Sequence, residues 1–384
     1  MAGKANTAPA AVACADYDAA NVRRALEAAV EAAGGLGWVR PGMRIGIKLN
    51  LCAAKKPEAA ATTHPVPAAE LTHMLRERGA EVVLGDSPGG PFTAPLMRHL
   101  YDAAGLRLCE EAGGVLNRDF GHAEAVFPEG KSVRSFEYCD WLRSCDAVIN
   151  FCKLKSHGLM GMTAAVKNLY GVIPGTVKSE YHYLHPDPAD FADMLVDLNE
   201  FVRPCRSLVD AVEIMEGNGP TAGAPRHMGL VLAGTDPYRL DRLCAALLGV
   251  AEREIPYLEA AKRRGLLAPE DPELVAAAAP YALRDFRRSG ATASWFMSSE
   301  EDGALRRLAK RGMYAIFASR PAAGADCTGC GNCARGCPAS AIRIVRGRAA
   351  IDRKKCVRCF CCQEFCPTGA MKAKRSAIAR LTGR

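Results

Sequence analysis

The 384-residue chain contains no run of about 18 apolar residues, the length a membrane-crossing helix needs, so no membrane span is expected. Its opening stretch, MAGKANTAPAAVACADYD, has no continuous apolar segment and meets Asp16 and Asp18 early. It does not read as a secretory leader, and a cytoplasmic location is expected. No Gly-x-Gly-x-x-Gly opens a helix after a strand, so a dinucleotide fingerprint is missing. Aromatic residues make up only 7%, too few for the stacking platform of a single-strand nucleic-acid binder. What remains, 49% hydrophobic and 24% charged, is the make-up of a folded globular protein and excludes collagen-like and wholly disordered chains. The length points to two or three domains.

Seventeen cysteines are the surplus. In a long chain without an export signal they point to metal binding or redox chemistry rather than to disulfides. Nine lie between Cys327 and Cys366; the other eight are scattered over the first 244 residues with no Cys-x-x-Cys pair. Two segments repeat, CTGCGNCARGCPASAI from Cys327 and CVRCFCCQEFCPTGAM from Cys356. Each reads Cys-x-x-Cys-x-x-Cys-x-x-x-Cys-Pro, the spacing of bacterial two-cluster ferredoxins. Three cysteines of a tight loop reach three irons of one cubane, and the fourth points away to the neighbouring cluster. The expected ligand sets for two 4Fe–4S clusters are therefore Cys327, Cys330, Cys333 and Cys366, and Cys356, Cys359, Cys362 and Cys337. Pro338 and Pro367, which lack an amide hydrogen, fix the turn after each fourth cysteine. Cys361 breaks the match between repeats and is left out as a non-ligand. Zinc usually takes two Cys pairs, not two identical sets of four ending in Pro. Cys139, Cys145 and Cys152 are expected to be buried free thiols.

Charge is unevenly placed. Residues 321–384 hold 13 Lys+Arg against 3 Asp+Glu, or +10, whereas the first 320 hold 37 against 39, or −2. Two thiolate-bound cubanes would take about −4 from that tail. Arg343, Arg346, Arg348, Arg353, Lys354, Lys355 and Arg358 then read as compensation for the clusters or as a docking face for an acidic redox partner protein, with no nucleic acid expected.

Upstream, strand-like and helix-like stretches alternate: a helix over 18–35 capped by Asp18, a strand over 43–50, a helix over 66–79, a strand over 81–86, a helix over 93–104 and a strand over 146–152. Strands over 207–215 and 227–234 and a helix from Asp236 follow. This predicts an α/β fold, a mostly parallel sheet with helices on both faces, beside a small α+β ferredoxin-like domain. Ligands of such sheets bind beyond the carboxyl ends of the strands. Lys48 and Asn50; Asp86, Ser87, Gly89 and Gly90; Lys153, Lys155 and His157; and Glu216 and Asn218 are expected at those ends. Together they describe a crevice for a small carboxylate- or phosphate-bearing substrate or cofactor. Lys153 and Lys155 also read as the solvated end of a strand, SPGG as a plain turn, and His64 as a cap.

KLN (48–50), ATTHP (61–65), LGDSPGG (84–90), KLKSHGLMGMTAAVKNLYG (153–171), Tyr181-His182 and MEGNGP (215–220) resemble the domain-of-unknown-function 362 family over about residues 10–250. Many members end in the same two-cluster module. The resemblance implies that Lys48, Asn50, Lys153, Lys155, His157, Lys167 and Asn168 form one site, with Lys167 and Asn168 on a short helix over 162–171. It supplies no substrate, and Leu49 stands where the family usually has Pro. The expected organisation is an anion-binding α/β domain (1–250), a helical extension and linker (251–320) leading into RPAAGAD, the cluster domain (321–375) and a basic tail (376–384). The leading expectation is an iron–sulfur oxidoreductase passing single electrons to or from an anion held by the lysines, with His157 or His182 supplying a proton. The alternatives are an electron carrier or assembly factor whose α/β domain only binds, and a non-redox enzyme with structural clusters.

Overall fold

The computed structural model describes residues 8–289 and 319–374. Its main sheet is built from β1 (Ala10–Ala13), β2 (Arg44–Lys48), β3 (Glu81–Gly85) and β4 (Val115–Leu116); then, past a separate hairpin of β5 (His122–Val126) and β6 (Ser135–Cys139), from β7 (Ala147–His157), β8 (Gly161–Thr163), β9 (Arg206–Glu216) and β10 (Ala224–Gly234). The spatial order is β1-β10-β9-β7-β2-β3-β4, with β8 folded back onto β7. The five strands β9, β7, β2, β3 and β4 are parallel to their neighbours, while β10 and β1 close one edge antiparallel. The parallel strands are near-continuous apolar runs because both of their faces are covered. Ile45, Ile47, Ile149 and Phe151 face one core with the helices Ala19–Ala32 and Pro65–Arg76. Cys152, Leu154 and Val209 face the other, with the helices Pro188–Val202, Pro237–Leu247 and Pro256–Arg263.

Helix starts follow capping chemistry. Asp18 accepts from the amides of Ala20 and Asn21, and Asp236 from those of Tyr238 and Arg239, each satisfying donors a first helical turn leaves open. His64 caps Pro65–Arg76 through Nδ1, its ring stacked on Tyr17 at 3.5 Å.

Three sequence expectations shift. β7 does not stop at Cys152 but runs to His157, so Lys153, Lys155 and His157 lie inside the strand; β8 supplies the pairing that extends it. The helix expected over 162–171 is instead β8, a helical turn Ala165–Asn168 and a 3₁₀ turn Leu169–Val172, because Gly161 at φ +76° turns the chain back into a hairpin. RPAAGAD is not a linker: Arg320–Ala323 forms β11. Of the helical extension, Pro256–Arg263 and Pro272–Ala278 are present, whereas EEDGALRRLAKRGMYAIF (300–317) and the basic tail from 375 lie outside the described residues.

In the C-terminal module, β11 pairs antiparallel with β14 (Met371–Lys374), so its two ends are stitched together. A hairpin of β12 (Ile342–Val345) and β13 (Arg348–Ile351) separates two four-residue helical turns, Asn332–Arg335 and Cys361–Glu364. Its small core is Cys333, Ile342, Cys362 and Met371.

Candidate functional site

The eight cysteines of the repeat fall into two groups. Cys327, Cys330, Cys333 and Cys366 line one small cavity with Ile344 and Met371. Burial, and then these three neighbouring thiols, push the Cys333 thiol up. Cys362 is pushed up by burial and then by Cys359, Cys356, Cys333 and Cys337, which marks the second group. Each fourth cysteine thus reaches across to the other repeat. Backbone amides already approach the sulfurs, as Ala341 N donates to Cys337 Sγ at 3.2 Å. Among the described residues no three His, Cys, Asp or Glu converge on a point that would hold a single metal ion. The sulfurs around a cubane stand further apart than the ligands of one ion, so thiols around a cavity are the arrangement a cluster requires.

The cationic residues of the α/β domain surround a second cavity of about 70 Å³. It is lined by Lys48, Asn50, Asp86, Ser87, Gly89, Lys155, His157, Lys167, Asn168 and His182 among the expected residues, and by Cys52, Tyr170, Gly171 and Lys178. Lys48 Nζ lies 2.7 Å from Asp86 Oδ1 with both side chains almost wholly buried. Asp86 Oδ2 accepts from Leu51 N at 2.6 Å, holding the carboxylate in place. A Cβ on Gly171 would strike both partners of that pair, so only glycine fits. Lys155 donates to Asn50 Oδ1 and to Ala61 O, both at 2.7 Å. Asn50 Nδ2 donates to Asn168 Oδ1 at 2.8 Å, and Asn168 Nδ2 to Asn150 Oδ1 at 2.8 Å. These amides join β2, β7 and the 165–168 turn into one network. Burial lowers Lys48, Lys167 and Lys178, the last to about 7.

His157 is oriented by the amides of Leu159 and Met160, which donate to Nδ1 at 3.1 and 3.2 Å. That fixes the proton on Nε2, which points at Glu364 Oε1 3.4 Å away. Burial is the main cause lowering His157 and His182, the latter to about 3. His182 stacks on Phe191 at 4.3 Å, and its Nδ1 is buried with no partner.

One wall of this cavity belongs to the C-terminal module: Cys361, Glu364 and Phe365 line it. Gln363 Nε2 donates to Asn218 Oδ1 at 2.9 Å and Gly219 O at 3.1 Å. A Cβ on Gly89 would lie 2.6 Å from the Phe365 ring, so that glycine admits the module.

The structure therefore brings most of the expected site together and leaves four residues aside. Lys153 is absent from the lining; its Nζ lies 2.9 Å from Asp210 Oδ2 and 2.7 Å from Tyr17 Oη in a fully buried ion pair. The pairing of β7 with β9 shifts register between Lys153 and Lys155, so two residues that alternation puts on one face reach different places. Glu216 is paired with Arg226 and Arg287. Gly90 does not line the cavity, although the helix after it, Ala94–Ala103, lies where it was expected. Asn218 serves the module contact. Sequence reasoning missed Lys178, Tyr170, Asn150 and Asp241, whose carboxylate accepts from the amides of Ala165 and Val166 and so sets the turn bearing Lys167. It also missed Glu364 and Phe365, which look like filler between the cysteines of the second repeat. Cys139 and Cys152 are buried, Cys145 is partly buried, and all three are free thiols, as expected.

Residues 45–246 match the family model described as Domain of unknown function (DUF362). The chain belongs to the DUF362 family. Residues 322–367 match the 4Fe-4S dicluster domain, so this DUF362 protein carries a ferredoxin-type iron–sulfur module at its C-terminal end. A thylakoid-associated protein of Synechocystis sp. is 32% identical over 257 residues, covering 65% of this chain and 77% of the relative. The B subunit of an ion-translocating oxidoreductase complex of Methanosarcina acetivorans is 42% identical over 48 residues, 12% of this chain and 18% of that subunit. Among solved structures, the lactate racemase apoprotein of Thermoanaerobacterium thermosaccharolyticum superposes with a TM-score of 0.40 at 12% identity, covering 60% of this chain and 56% of that one. In the described residues of this DUF362 chain no helix is long and apolar enough to cross a membrane.

Proposed function

We propose that this protein is an iron–sulfur oxidoreductase that moves single electrons between a redox partner protein and a small anionic substrate in the α/β pocket. Cys327, Cys330, Cys333 and Cys366 would hold one 4Fe–4S cluster, and Cys356, Cys359, Cys362 and Cys337 the other. When bound, such clusters take up and release electrons one at a time. The observation that carries the reading is the shared wall: the turn Cys361–Glu364, which contains the ligand Cys362, also lines the cationic cavity.

The chain's own residues then have separable tasks. Lys155, Lys167 and Lys178 would hold the anion and offset negative charge that grows on reduction, in a site where little water screens them. His157, with Nδ1 already an acceptor, can donate a hydrogen bond from Nε2 but would break two backbone bonds to take up a proton there. His182 has an unused ring nitrogen and is the better candidate for a proton exchange. On the module's hairpin, exposed Ile344 and Val345 sit among Arg343, Arg346 and Arg348, a surface suited to an acidic redox protein.

The test is reoxidation of dithionite-reduced, anaerobically prepared protein. Small anionic metabolites are added alone, and the visible absorbance of the reduced clusters is followed. The expectation is that at least one restores the oxidised spectrum without a second protein, and that Lys155→Met slows this at least tenfold. Reoxidation only by a partner protein, with every metabolite inert, would mean an electron carrier whose α/β domain does no chemistry.

A further inference from the structure

The pocket's four lysines are not equivalent. An ammonium group has three protons to donate. Lys48 gives its protons to Asp86 Oδ1, Leu49 O and Asn168 Oδ1. Lys155 gives its to Asn50 Oδ1, Ala61 O and Cys52 Sγ. Lys178 gives its to Ser87 Oγ, Pro88 O and Ile173 O. Lys167 differs: among the described residues its ammonium meets no acceptor and no carboxylate. It rests 4.5 Å from the Tyr170 ring centre and 5.8 Å from that of Phe191. Only 8% of the residue is exposed, so water does not take the place of those partners in full.

A second unused group sits beside it. His182 packs on the same two rings, parallel to Phe191 and edge-on to Tyr170 at 5.4 Å, and its Nδ1 is buried with no partner. Two polar groups with unspent hydrogen-bonding capacity therefore share one aromatic corner of one cavity. Buried polar groups are nearly always paired, and here an ammonium and a ring nitrogen left open line the same cavity, where a ligand's polar atoms can meet them.

Charge counting says what kind of group that is. Lys48 and Asp86 cancel. Lys155, Lys167 and Lys178 are opposed by one carboxylate, Glu364, since His157 is held neutral by the amides on its Nδ1. Lys155 and Lys167 against Glu364 leave one positive charge, and Lys178, lowered to about 7 by burial, supplies a second once an anion beside it favours its protonated form, so a ligand with two negative charges offsets both. The cavity, about 70 Å³, has room for a compact ion.

We infer that the pocket receives a compact dianion, of phosphate or dicarboxylate type, with one anionic oxygen seated on the Lys167 ammonium beside His182 Nδ1. This rests on the reading that the pocket binds an anion, and it adds the ligand's charge and the seat it takes.

The experiment is calorimetric titration of the anaerobically prepared full-length protein at pH 8 with inorganic phosphate, with oxalate, and with acetate as the singly charged comparison. Either phosphate or oxalate should bind at least about tenfold more tightly than acetate, and which of them does so separates the two sources of dianion. Lys167→Gln should lower that affinity roughly tenfold or more, the expected loss for a charge-assisted hydrogen bond. Lys167→Arg, which keeps the charge, should retain part of it. Iron content and reduction by dithionite should not change in either variant. Equal binding of all three anions, no binding of either dianion, or undiminished affinity in Lys167→Gln with its iron intact overturns the inference. Dianion binding without metabolite reoxidation would instead sink the oxidoreductase reading and leave the seat standing.

Discussion

The two halves of the cysteine repeat have the same spacing, yet they sit in unlike surroundings. In the first, Cys330 is exposed and the neighbouring hairpin shows Ile344 at 38% and Val345 at 52% to solvent. In the second, Cys361, Cys362 and Gln363 are buried, and the segment is hydrogen-bonded to Asn218 and Gly219 of the α/β domain. Ligand spacing dictates which irons a thiolate can reach; what surrounds a cluster is decided by the residues between the ligands. Gln363, Glu364 and Phe365 of the second repeat stand where the first has Ala334, Arg335 and Gly336. Gly336 has no side chain to offer a partner domain, and its small size instead admits the Phe365 ring of the other repeat. The proposed relay thus has an outer end facing partners and an inner end facing the pocket.

The sharpest way to break that asymmetry is to remove one ligand from each half. Cys330→Ser and Cys362→Ser should each lower the iron content from about eight to about four per chain. Their kinetics should differ. Loss of Cys362 should abolish reoxidation by a pocket anion, whereas loss of Cys330 should abolish reduction by a partner protein and leave reoxidation by the anion measurable. Identical defects in both variants, read by iron analysis and stopped-flow absorbance, would show that the halves are interchangeable.

The second comparison is between two lysines two residues apart. Lys153 is locked to Asp210 and Tyr17 outside the pocket lining, while Lys155 belongs to the pocket network. Removing one partner of a buried ion pair costs about 3–5 kcal/mol, because the other charge is left stranded. Lys153→Met should therefore lower the denaturation midpoint markedly and leave anion affinity within about twofold; Lys155→Met, which loses buried hydrogen bonds to Asn50 and Ala61 but breaks no ion pair, should cost less stability and weaken anion affinity about tenfold or more. Urea unfolding followed by circular dichroism, alongside anion titration, separates the two.

Much of this was legible in the sequence, and the losses have physical causes. Periodicity and caps located the parallel strands and the helices from Asp18 and Asp236, since those signals are local. The two cysteine groups were legible because cubane geometry ties spacing to ligation. Lys153 was grouped with Lys155 because alternation along a strand assumes an unbroken register, and a shift in the pairing with β9 is invisible in one strand's residues. RPAAGAD read as a linker because its partner, Met371–Lys374, lies some fifty residues away. The wall of Cys361, Glu364 and Phe365 could not be read at all, since nothing local says which face of a small module meets another domain.

Two histidines of the α/β domain, His64 half-buried and His182 buried, make the acid limb of stability testable. His64 is lowered to about 4 and His182 to about 3, mainly by burial, against an ordinary value of 6.5. Each stays neutral in the folded chain while the unfolded chain gains a proton as pH falls through 6.5. The unfolded state then binds more protons, so stability drops from about pH 6.5 down to about 4 and 3 respectively. His64→Gln and His182→Gln should each flatten that slope by up to one proton, about 1.4 kcal/mol per pH unit. Urea midpoints at pH 7.5 and 5, compared between variants, cancel the acid sensitivity shared by all of them. Parallel slopes in wild type and both variants would mean that neither ring is held neutral by the fold.

The smallest effect belongs to the ninth cysteine of the module. Cys361 lies one residue from Cys362 and two from Cys359, both proposed ligands, so proximity alone would allow it to substitute for either. Yet its side chain lines the cationic cavity on the α/β side. If the second repeat ligates as the first does, Cys361→Ala should leave the iron content at about eight and the reduced-cluster spectrum unchanged. The lost thiol amounts to little more than a deleted methyl group, a cost of about 1 kcal/mol in a packed wall. Its readout belongs to the pocket: the cavity widens next to Glu364, and anion affinity should move by no more than a few fold. Iron falling to about four in Cys361→Ala would mean that the second repeat ligates as Cys-x-Cys rather than Cys-x-x-Cys. The inner cluster would then sit closer to the pocket than the symmetry of the two repeats implies.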